Sequence, residues 1–555
     1  MSDHARADIR DISFAHLIPH NTLAIQAFSE VCDALQRQPQ QFQHHARFIV
    51  RQGDAPTALF PSARGNSNRA SSTDSDATVA SDSAIWDLPV PKVWTGYLAL
   101  SLKTSREIPK IGWRAGYGRA WHASKTGNVD LLLATTKCGK LRGNHAVLLF
   151  TRDGILTVAA RHMDPGVQVG TDLVTTSDLP RALTGRREYL IILGDLYIVP
   201  RNRAEDAQRR TDLAEYFKNV LDLPSPHEMV SATPSERDMI IGNWTVHSIV
   251  GIGGHATIRA ASWHRGGKTA GLKLMTRVEA NGLVDQEVFA YRRMKRDLNG
   301  IKDMQHVMQI EDVIYEHGGE RFTRRGDVYM FWTPLARGDF SSLILNRPAE
   351  NSSPPLQREQ LLTLFSQVLR GLCTLHAAGW VHCDIKPQNL GIVSLDPRTA
   401  VILDLGQALC VREDPLHALP AVPGTCGTVG YLAPELETVP GSYGQPVDVW
   451  ALACVGLELF SGGLPWKRRY NPWRRVKDDE QGFEKQLAVA AFDDCHRRLA
   501  AAAGDSLEAL LASMLEPSAD ERVSSSSAVT HNALTCTEEL DIEPRTGDKR
   551  HYAES

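Results

Sequence analysis

The stretch His382-Cys383-Asp384-Ile385-Lys386-Pro387-Gln388-Asn389 decides how the rest of the chain is interpreted. From Asp384 to Asn389 it places a carboxylate, an ammonium group and a carboxamide within six residues. The proline after Lys386 has a fixed φ and disfavours a helical residue before it, so we predict an extended or turned loop. Twelve residues after Asn389, a short β-branched run begins that leads to Asp404, which predicts a strand ending in a second carboxylate.

A loop and a strand end of this kind can bring two aspartates, an asparagine and a lysine together. Phosphoryl transfer needs a carboxylate that accepts a hydroxyl proton, oxygen ligands for Mg²⁺ and a cation that neutralises phosphate charge. We therefore predict that Asp384 and Lys386 are catalytic and that Asn389 and Asp404 bind metal. A single aspartate in such a loop is more often a turn or helix-cap residue, so this prediction depends on the ordered residues around it.

Residues 240–534 resemble a eukaryotic-type protein kinase domain of the Ser/Thr branch. His382-Cys383-Asp384 resembles the catalytic-loop triplet of that family, and Asp404-Leu405-Gly406 resembles its metal-binding triplet. Lys386 and the pair Gly427-Thr428 resemble the Ser/Thr branch. The resemblance implies a bilobal α+β fold with a β-rich N-lobe and a helical C-lobe. It also implies transfer of the γ-phosphoryl group of ATP, with Mg²⁺, to Ser or Thr hydroxyls of protein substrates.

The nucleotide-binding residues are expected upstream of the catalytic loop. A glycine-rich turn follows an apparent strand that starts near Trp244, and its glycines let backbone amides approach phosphate oxygens. The resemblance implies that Glu287 pairs with Lys273, although Glu279 also lies downstream of that lysine. It further implies nucleotide contacts from Gly251, Ile252, Gly253, Gly254, Ile258, Lys273 and Met330, the last guarding the pocket behind the adenine.

Two positions depart from the family pattern. Ala256 stands where a third glycine is usual, and Cys383 replaces an arginine that pairs with activation-loop phosphate in many kinases. A neutral cysteine cannot pair with phosphate, so we hypothesise that activity does not depend on that switch, although Thr425 and Thr428 lie in the corresponding loop. The alternative is a pseudokinase scaffold that binds nucleotide and transfers little. Neither departure removes a catalytic group.

Three residues further along the chain support the fold. The resemblance implies that Asp448 braces the catalytic loop and that Arg522 pairs with Glu435, which closes the activation segment.

Residues 85–200 show a different pattern, in which short apolar runs alternate with turn signals and predict a β-sandwich. Gly118-Arg119, Asp130 to Leu133 and Asn144-His145-Ala146 resemble a degenerate forkhead-associated (FHA) domain, as in checkpoint-type kinases. That resemblance implies a phosphothreonine-containing partner bound through Arg119, or through Arg114 if the register slips. Arg142 stands where the family has a phosphate-binding serine, so a scaffold or dimer contact is the alternative. A phosphopeptide-binding adaptor is the corresponding alternative for the whole chain.

The chain is too long for one core, and its 555 residues predict two to four domains. We expect a partly helical segment at 1–60, a disordered Ser/Asp-rich linker at 61–84, a linker with a helix at 201–239 and a disordered tail at 535–555. For the helix in the first segment, a docking role and a lid on the next domain both fit.

Composition argues against several classes of protein. A net charge of −4 favours neither nucleic acid nor an anionic membrane surface as a partner. There is no apolar run near 18 residues and no basic-then-apolar start, so we expect neither a membrane span nor a secretory signal. The nine cysteines are scattered without a Cys-x-x-Cys pair, which favours a reducing compartment, the cytoplasm or the nucleus.

Overall fold

The structure is a computed structural model of the chain. It describes residues 13–58, 92–104, 109–118, 129–184, 188–202, 207–226, 230, 239–252, 257–277, 283–298, 300–301, 304–316, 326–345, 356–411, 427–438, 444–466, 473 and 482–535. The expected linker at 61–84, nearly all of the expected tail, and the single residues Arg119, Gly253, Gly254, Ala256 and Thr425 lie outside these ranges. The chain divides into two compact units, residues 1–247 with 262–268 and residues 248–261 with 269–555.

The first unit is a sandwich of two sheets. Its strands are β1 (Ser13–Pro19), β2 (Ile49–Ala58), β3 (Lys92–Ser101), β4 (Trp113–Gly116), β5 (Leu131–Leu132), β6 (Ala146–Phe150), β7 (Leu156–Ala160), β8 (Val167–Val169), β9 (Asp172–Val174), β10 (Arg181–Ala182), β11 (Ile191–Leu193) and β12 (Leu196–Asn202). One sheet has the order β2-β3-β1-β12-β11-β8-β9, and the other has the order β10-β7-β6-β4-β5.

The two sheets share one apolar core, so the predicted β-sandwich is confirmed. Leu98 and Leu100 on β3 belong to the same buried cluster as Trp113 on β4 and Leu148 on β6. Trp113 is fully buried and packs edge-on against Phe14 of β1, with ring centroids 5.4 Å apart. Inward-facing side chains of both sheets thus form the packed layer expected of a sandwich.

The sandwich also incorporates the N-terminal segment, which we expected to lie outside it. β1 pairs antiparallel with β3 on one side and with β12 on the other. Helix α1 (Thr22–Arg37) begins at Asn21, whose Oδ1 accepts a 3.0 Å hydrogen bond from Ala24 N, and buries Phe28 and Val31. The helical spacing of apolar residues in this segment predicts a helix. It did not reveal that an interior strand precedes the helix, because strand pairing is a long-range choice. A short helix, α2 (Gln43–Ala46), follows.

Helix α3 (Ala207–Tyr216) continues into a π-helical turn at Phe217–Leu221 and matches the helix expected in the 201–239 linker. Phe217 is fully buried, and Leu213 and Tyr216 pack beside it in a small cluster.

A six-stranded sheet follows helix α3 along the chain. Its strands are β13 (Met239–Ile241), β14 (Trp244–Ile252), β15 (Thr257–Trp263), β16 (Thr269–Arg277), β17 (Gln309–Tyr315) and β18 (Gly326–Thr333), in the order β13-β14-β15-β16-β18-β17. Helix α4 (Leu283–Asp297) follows β16 and buries Val288, Tyr291 and Met294. These side chains recur every three or four residues, as expected of a helix with one apolar face.

From residue 338 onward, the described part of the chain is mainly helical. Its elements are β19 (Gly338–Asp339), α5 (Phe340–Leu345), α6 (Arg358–Ala377), β20 (Trp380–Val381), β21 (Leu390–Leu395), β22 (Arg398–Ile402), β23 (Leu409–Cys410), α7 (Pro434–Thr438), α8 (Pro446–Phe460), α9 (Gly482–Ala500), α10 (Leu507–Met514), α11 (Ser525–Ala528) and α12 (Asn532–Thr535). The predicted combination of a β-rich and a helical portion is therefore confirmed.

Helix α8 is the central helix of this part. It is apolar on every side and buried from Val447 to Glu458, as a helix surrounded by others must be. Pro446 is its first residue, where the missing N–H costs nothing. None of the helices in the described ranges is long and apolar enough to cross a membrane.

Candidate active site

A hairpin brings the two predicted metal ligands together. β21 begins directly after Asn389 and pairs with β22, with Leu390 opposite Ile402. Leu403 N donates a 2.8 Å hydrogen bond to the carbonyl oxygen of Asn389. Asp404 follows immediately, with a φ of 51°, a left-handed conformation that aspartate adopts more readily than most residues. Antiparallel pairing thus places residues 15 positions apart at the same end of a hairpin.

The carboxylate of Asp384 lies at the centre of a buried polar network. It is 5% exposed, and its Oδ1 accepts a 2.7 Å hydrogen bond from Thr428 Oγ1. Its Oδ2 accepts hydrogen bonds from Lys386 Nζ at 2.7 Å and from Asn389 Nδ2 at 3.1 Å. Lys386 Nζ also donates to Thr428 Oγ1 at 3.1 Å. Both carboxylate oxygens are therefore oriented by fixed donors, one of which is a cation.

Lys273 connects the sheet, the helix and the loop. It lies on β16, and its Nζ is 2.5 Å from Glu287 Oε1 on α4 and 3.2 Å from Asp404 Oδ1. Burial alone would lower the pKa of Lys273, but the carboxylates of Asp404 and Glu287 outweigh it and raise that pKa. Burial alone would raise the pKa of Asp404, but the positive charge of Lys273 outweighs the effect of burial and lowers that pKa. Both groups are charged at neutral pH. Glu287 therefore contacts Lys273, and Glu279 lies outside the described residues.

The catalytic loop is attached to helix α8 through Asp448. Its Oδ2 accepts a 2.7 Å hydrogen bond from His382 N, and its Oδ1 accepts one of 2.9 Å from Cys383 N. His376 Nε2 lies 2.9 Å from Oδ2 of the same carboxylate, and His376 Nδ1 lies 2.8 Å from Ser525 Oγ. All of these groups are buried. The backbone of the catalytic loop is therefore hydrogen-bonded to a helix that is itself buried.

The segment after Asp404 is held at both of its described ends. β23 pairs with β20, with Trp380 opposite Cys410. At the far end, Gly427 N donates a 3.0 Å hydrogen bond to Gln407 Oε1. Beyond it, Arg522 makes two hydrogen bonds to Glu435, Nη1 to Oε1 at 2.6 Å and Nη2 to Oε2 at 3.0 Å. The ion pair expected from the resemblance is thus present.

The described members of the predicted nucleotide-contacting set lie on the sheet. Gly251 and Ile252 end β14, and Ile258 on β15 is half-buried against the core of the second unit. Met330 on β18 is fully buried and lies directly opposite Lys273 in the antiparallel register. The sheet thus places an apolar side chain next to the strand position that carries Lys273.

The donor set fits Mg²⁺. The Nδ2 group of Asn389 also donates a 2.8 Å hydrogen bond to the carbonyl oxygen of Asp384, which leaves its Oδ1 as the atom able to bind a cation. Within the described ranges, no group of three or more His, Cys, Asp or Glu side chains could hold a metal. Mg²⁺ typically uses one or two protein carboxylates together with substrate phosphates and water, so Asp404 and Asn389 suffice.

The first unit offers a different candidate, the predicted phosphate site of the sandwich. Arg114 is not available for it, because its side chain is 3% exposed and its Nε donates a 3.2 Å hydrogen bond to the fully buried Asp130. The alternative that Arg114 binds the phosphate is therefore wrong. Arg142 is exposed, and its Nη2 donates to the carbonyl oxygen of Asp164 at 3.1 Å.

Sequence reasoning missed two buried polar residues of the second unit. His376 precedes the catalytic loop by six residues at the end of α6, and only its contact with Asp448 gives it a role. Tyr291 lies four residues after Glu287, on the same face of α4. The four-residue spacing was a usable signal, but an aromatic residue at that spacing is usually core.

Comparison with known proteins agrees with this geometry. A model of the protein kinase domain family matches residues 244–534, more than half of the chain. The serine/threonine-protein kinase GIN4 of Saccharomyces cerevisiae is 25% identical over 249 residues, which cover 42% of this chain and 20% of GIN4. The mitogen-activated protein kinase pmk-1 of Caenorhabditis elegans is 24% identical over 343 residues, 58% of this chain and 84% of pmk-1.

The chain matches four curated relatives, GIN4 among them, over only 20% to 44% of their own length. A crystal structure of Rad53 residues 1–466 in complex with AMP-PNP aligns with 78% of this chain and 95% of its own, at 17% identity and a TM-score of 0.43. The match of the domain family over more than half of the sequence decides the classification. The chain belongs to the protein kinase family, and its kinase domain spans residues 244–534.

Proposed function

We propose that this protein is an active serine/threonine kinase that transfers the γ-phosphoryl group of ATP to hydroxyls of protein substrates. The observation that carries the proposal is the Asp384 network, in which Thr428 and Lys386 donate to different oxygens of one buried carboxylate. A carboxylate oriented in this way can accept or orient the proton of an incoming hydroxyl group.

The surrounding residues supply the remaining requirements of the reaction. Lys386 brings a cation to within 2.7 Å of the Asp384 carboxylate, where it can also stabilise charge on a transferring phosphoryl group. Mg²⁺ held by Asp404 and Asn389 would neutralise charge on the nucleotide phosphates. Lys273, positioned by Glu287, would bind the α- and β-phosphates. Because these side chains are already in contact, little reorganisation is needed before the chemical step.

The test is phosphorylation of a generic protein substrate by the full chain, with and without the Asp384→Asn substitution. Loss of the carboxylate should lower kcat by at least ~10²-fold, the lower range of a general base's contribution. Asp494→Asn is the matched control, because Asp494 lies on the exposed side of α9, where it pairs with Arg498. The control should retain the wild-type rate.

The same assay separates this proposal from a nucleotide-binding scaffold. A scaffold would bind ATP in the wild type and in the Asp384→Asn variant, and would transfer no phosphate in either. If the same result is obtained with Mn²⁺ and with several protein substrates, the proposed activity is rejected.

We further propose that the sandwich targets the kinase domain to phosphothreonine-containing partners. The supporting observation is that the loop carrying Arg142 lies beside the loop leading to Arg119. Tyr117 N donates to the carbonyl oxygen of Arg142 at 3.2 Å, and Gly118 N donates to that of Gly143 at 3.1 Å. The exposed Arg142 suits a phosphate group, which accepts several charge-assisted hydrogen bonds, and the sequence has a second arginine directly after Gly118.

A phosphothreonine peptide array probed with the full chain tests this second proposal. Arg119→Ala and Arg142→Ala should each weaken binding of the selected peptides, and the unphosphorylated peptides should not bind. Arg37→Ala serves as the control, because Arg37 is 79% exposed at the end of α1. Equal binding of phosphorylated and unphosphorylated peptides would reject the proposal and favour a scaffold role.

A further inference from the structure

The first compact unit contains more than the sandwich. It also includes residues up to His247 and residues 262–268, and most of these lie within the range that the kinase family model matches. They form the beginning of β14, the end of β15 and the turn at 264–268 that leads to β16. A small part of the kinase domain therefore packs with the sandwich inside a single unit.

Strand β10 provides the sandwich side of this contact. One edge of β10 pairs with β7. At its other edge, Ala182 N donates a 2.8 Å hydrogen bond to the carbonyl oxygen of His264, and Gly266 N donates one of 2.7 Å to that of Pro180. The two segments also form an antiparallel bridge between these bonds. The 264–268 turn thus pairs with main-chain groups that an edge strand would otherwise leave open.

Buried hydroxyl groups connect the same two segments. Thr184 Oγ1 donates a 3.2 Å hydrogen bond to Thr245 Oγ1 on β14, and His264 Nε2 lies 3.0 Å from the same oxygen of Thr245. Both threonine side chains are fully buried. A buried hydroxyl group without a partner is costly, so separation of the segments would leave polar groups unsatisfied.

Gly267 fits closely against the sandwich. It has a φ of 63°, and a Cβ atom there would lie 3.0 Å from Thr151 Cγ2 and 3.1 Å from Ile155 Cβ. These two residues belong to the loop that follows β6, whereas the loop carrying Arg142 precedes β6. The 264–268 turn therefore docks at the opposite end of β6 from the proposed phosphate-binding loop.

Strands β14 and β15 flank the predicted nucleotide-binding turn. They are neighbours in the six-stranded sheet, and β14 ends at Ile252 while β15 begins at Thr257. The other ends of the two strands, at Trp244 and Trp263, belong to the first unit. The hairpin that carries the glycine-rich turn is thus held at its open end by contacts with the sandwich.

We propose that the sandwich is a structural part of the nucleotide site, because β10 fixes the open end of the β14–β15 hairpin and thereby positions the glycine-rich turn. When this contact is broken, the hairpin moves more freely and binds nucleotide less tightly. The sandwich then has a role in nucleotide affinity in addition to any role in targeting. The inference rests on the nucleotide site of the proposed kinase, but its test requires no phosphoryl transfer.

The test is the Kd of Mg²⁺-ADP for the full chain, measured by calorimetry in Gly267→Ala and Gly266→Ala. Both glycines have a left-handed φ, 63° and 77°, so alanine strains the backbone at either position. Only at Gly267 does the added Cβ press against the sandwich. At Gly266 its nearest neighbour is Leu179 Cδ1 at 3.6 Å, an ordinary contact. We expect Gly267→Ala to weaken ADP binding by about tenfold and Gly266→Ala to change it by less than about twofold.

Amide hydrogen exchange shows whether the contact itself is broken. In Gly267→Ala, and more mildly in Thr184→Val, peptides from residues 180–184 and 262–268 should exchange faster than in the wild type. Peptides from β3 should keep the wild-type rate, which shows that the sandwich remains folded. Thr184→Val keeps the shape of the side chain and removes only the hydroxyl, so it tests the contact without a steric clash.

Two results would overturn the inference. One is faster exchange of both segments together with wild-type affinity for ADP, since the contact would then have no bearing on nucleotide binding. The other is unchanged exchange in both variants, since the segments would then not depend on each other. ADP binding without phosphoryl transfer would reject the proposed activity alone, whereas a wild type that binds no ADP would reject the activity and the inference together.

Discussion

Asp448 Oδ1 accepts a 2.9 Å hydrogen bond from the backbone N–H of Cys383, so a buried helix holds the main chain of the catalytic loop directly. Asp448 is 1% exposed, and its other oxygen accepts from His382 N at 2.7 Å. The position of Asp384 therefore depends on a carboxylate 64 residues away in sequence.

Replacement of Asp448 by alanine should affect both stability and rate. The two N–H groups would lose their acceptor inside the core, at a cost of about 1–3 kcal/mol for each unsatisfied group. We expect kcat to fall by at least ~10-fold, because small misplacements of a catalytic group are expensive. Urea unfolding and steady-state kinetics measure the two effects. Asp448→Asn, which keeps one carbonyl oxygen, should be milder on both, and a wild-type rate for Asp448→Ala would contradict the bracing role.

Cys383 leads to a prediction about activation. Its side chain is 7% exposed, and its Sγ lies 3.7 Å from the carbonyl oxygen of Val381. A thiol carries no positive charge, so this position supplies no cation to the activation segment. We expect the unphosphorylated enzyme to be active and Thr425→Ala to retain that activity. Thr428→Ala should instead lower kcat, because Thr428 donates directly to Asp384. An unphosphorylated preparation that becomes active only on phosphorylation of Thr425 would show that the switch exists after all.

Lys273 should be essential across a wide pH range. Lys273→Met should lower kcat/KM by at least ~10²-fold, because a buried cation beside the phosphates is lost. Glu287→Gln should be less severe, since it displaces the lysine without removing it. Steady-state kinetics with varied ATP measure both substitutions.

The sign of each pKa shift sets the pH limits of this pair. The pKa of Lys273 is raised, so its stabilising contribution is complete below about 10.4, its ordinary value, and is lost as the pH rises through the higher folded value. The pKa of Asp404 is lowered, so its contribution is complete above about 3.9 and is lost as the pH falls further. Between those limits a pH–rate profile should show no inflection from either group. An inflection within this pH range that disappears in the Lys273→Met variant would contradict this assignment.

The Arg522–Glu435 pair should contribute far more to stability than a surface pair of the same length. The Arg522 side chain is fully buried, so Glu435→Gln should lower the free energy of unfolding by about 3 kcal/mol. The matched control is Arg358→Ala, which removes a pair with Glu508 that is also 2.6 Å long but half exposed. That change should cost less than about 1 kcal/mol. If both variants lose the same free energy of unfolding in urea, burial does not decide how much an ion pair stabilises the fold.

His145 makes the sandwich sensitive to acid. The residue is fully buried, with Nε2 3.1 Å from the carbonyl oxygen of Gly166, and burial lowers its pKa. Protonation therefore favours the unfolded chain, and stability should decrease as the pH falls below about 6.5, the ordinary value for histidine. The protection of residues 146–150 against hydrogen exchange, corrected for the slower intrinsic exchange at low pH, should fall between pH 7 and pH 5. His145→Gln should weaken that dependence, and an unchanged dependence would assign it to other groups.

Local patterns were sufficient where chemistry depends on residues close in sequence. The loop from Asp384 to Asn389 and the strand leading to Asp404 were predicted from the sequence, and antiparallel pairing of β21 with β22 brings them together. Helix α1 was predicted from the spacing of its apolar residues. β1 was not, because its seven residues pair with strands that follow about 80 and 180 positions later.

The sequence by itself determined a set of residues suited to phosphoryl transfer and a sandwich before them, because each depends on residue types at short spacings, and its motifs resemble those of the kinase family. Only the tertiary structure decided that Glu287 contacts Lys273 and that Arg114 is held by Asp130. Glu279 and Glu287 are equivalent as charges in a sequence. Contact between two side chains depends on distance and burial, which are set when a helix packs against a sheet and which no local pattern records.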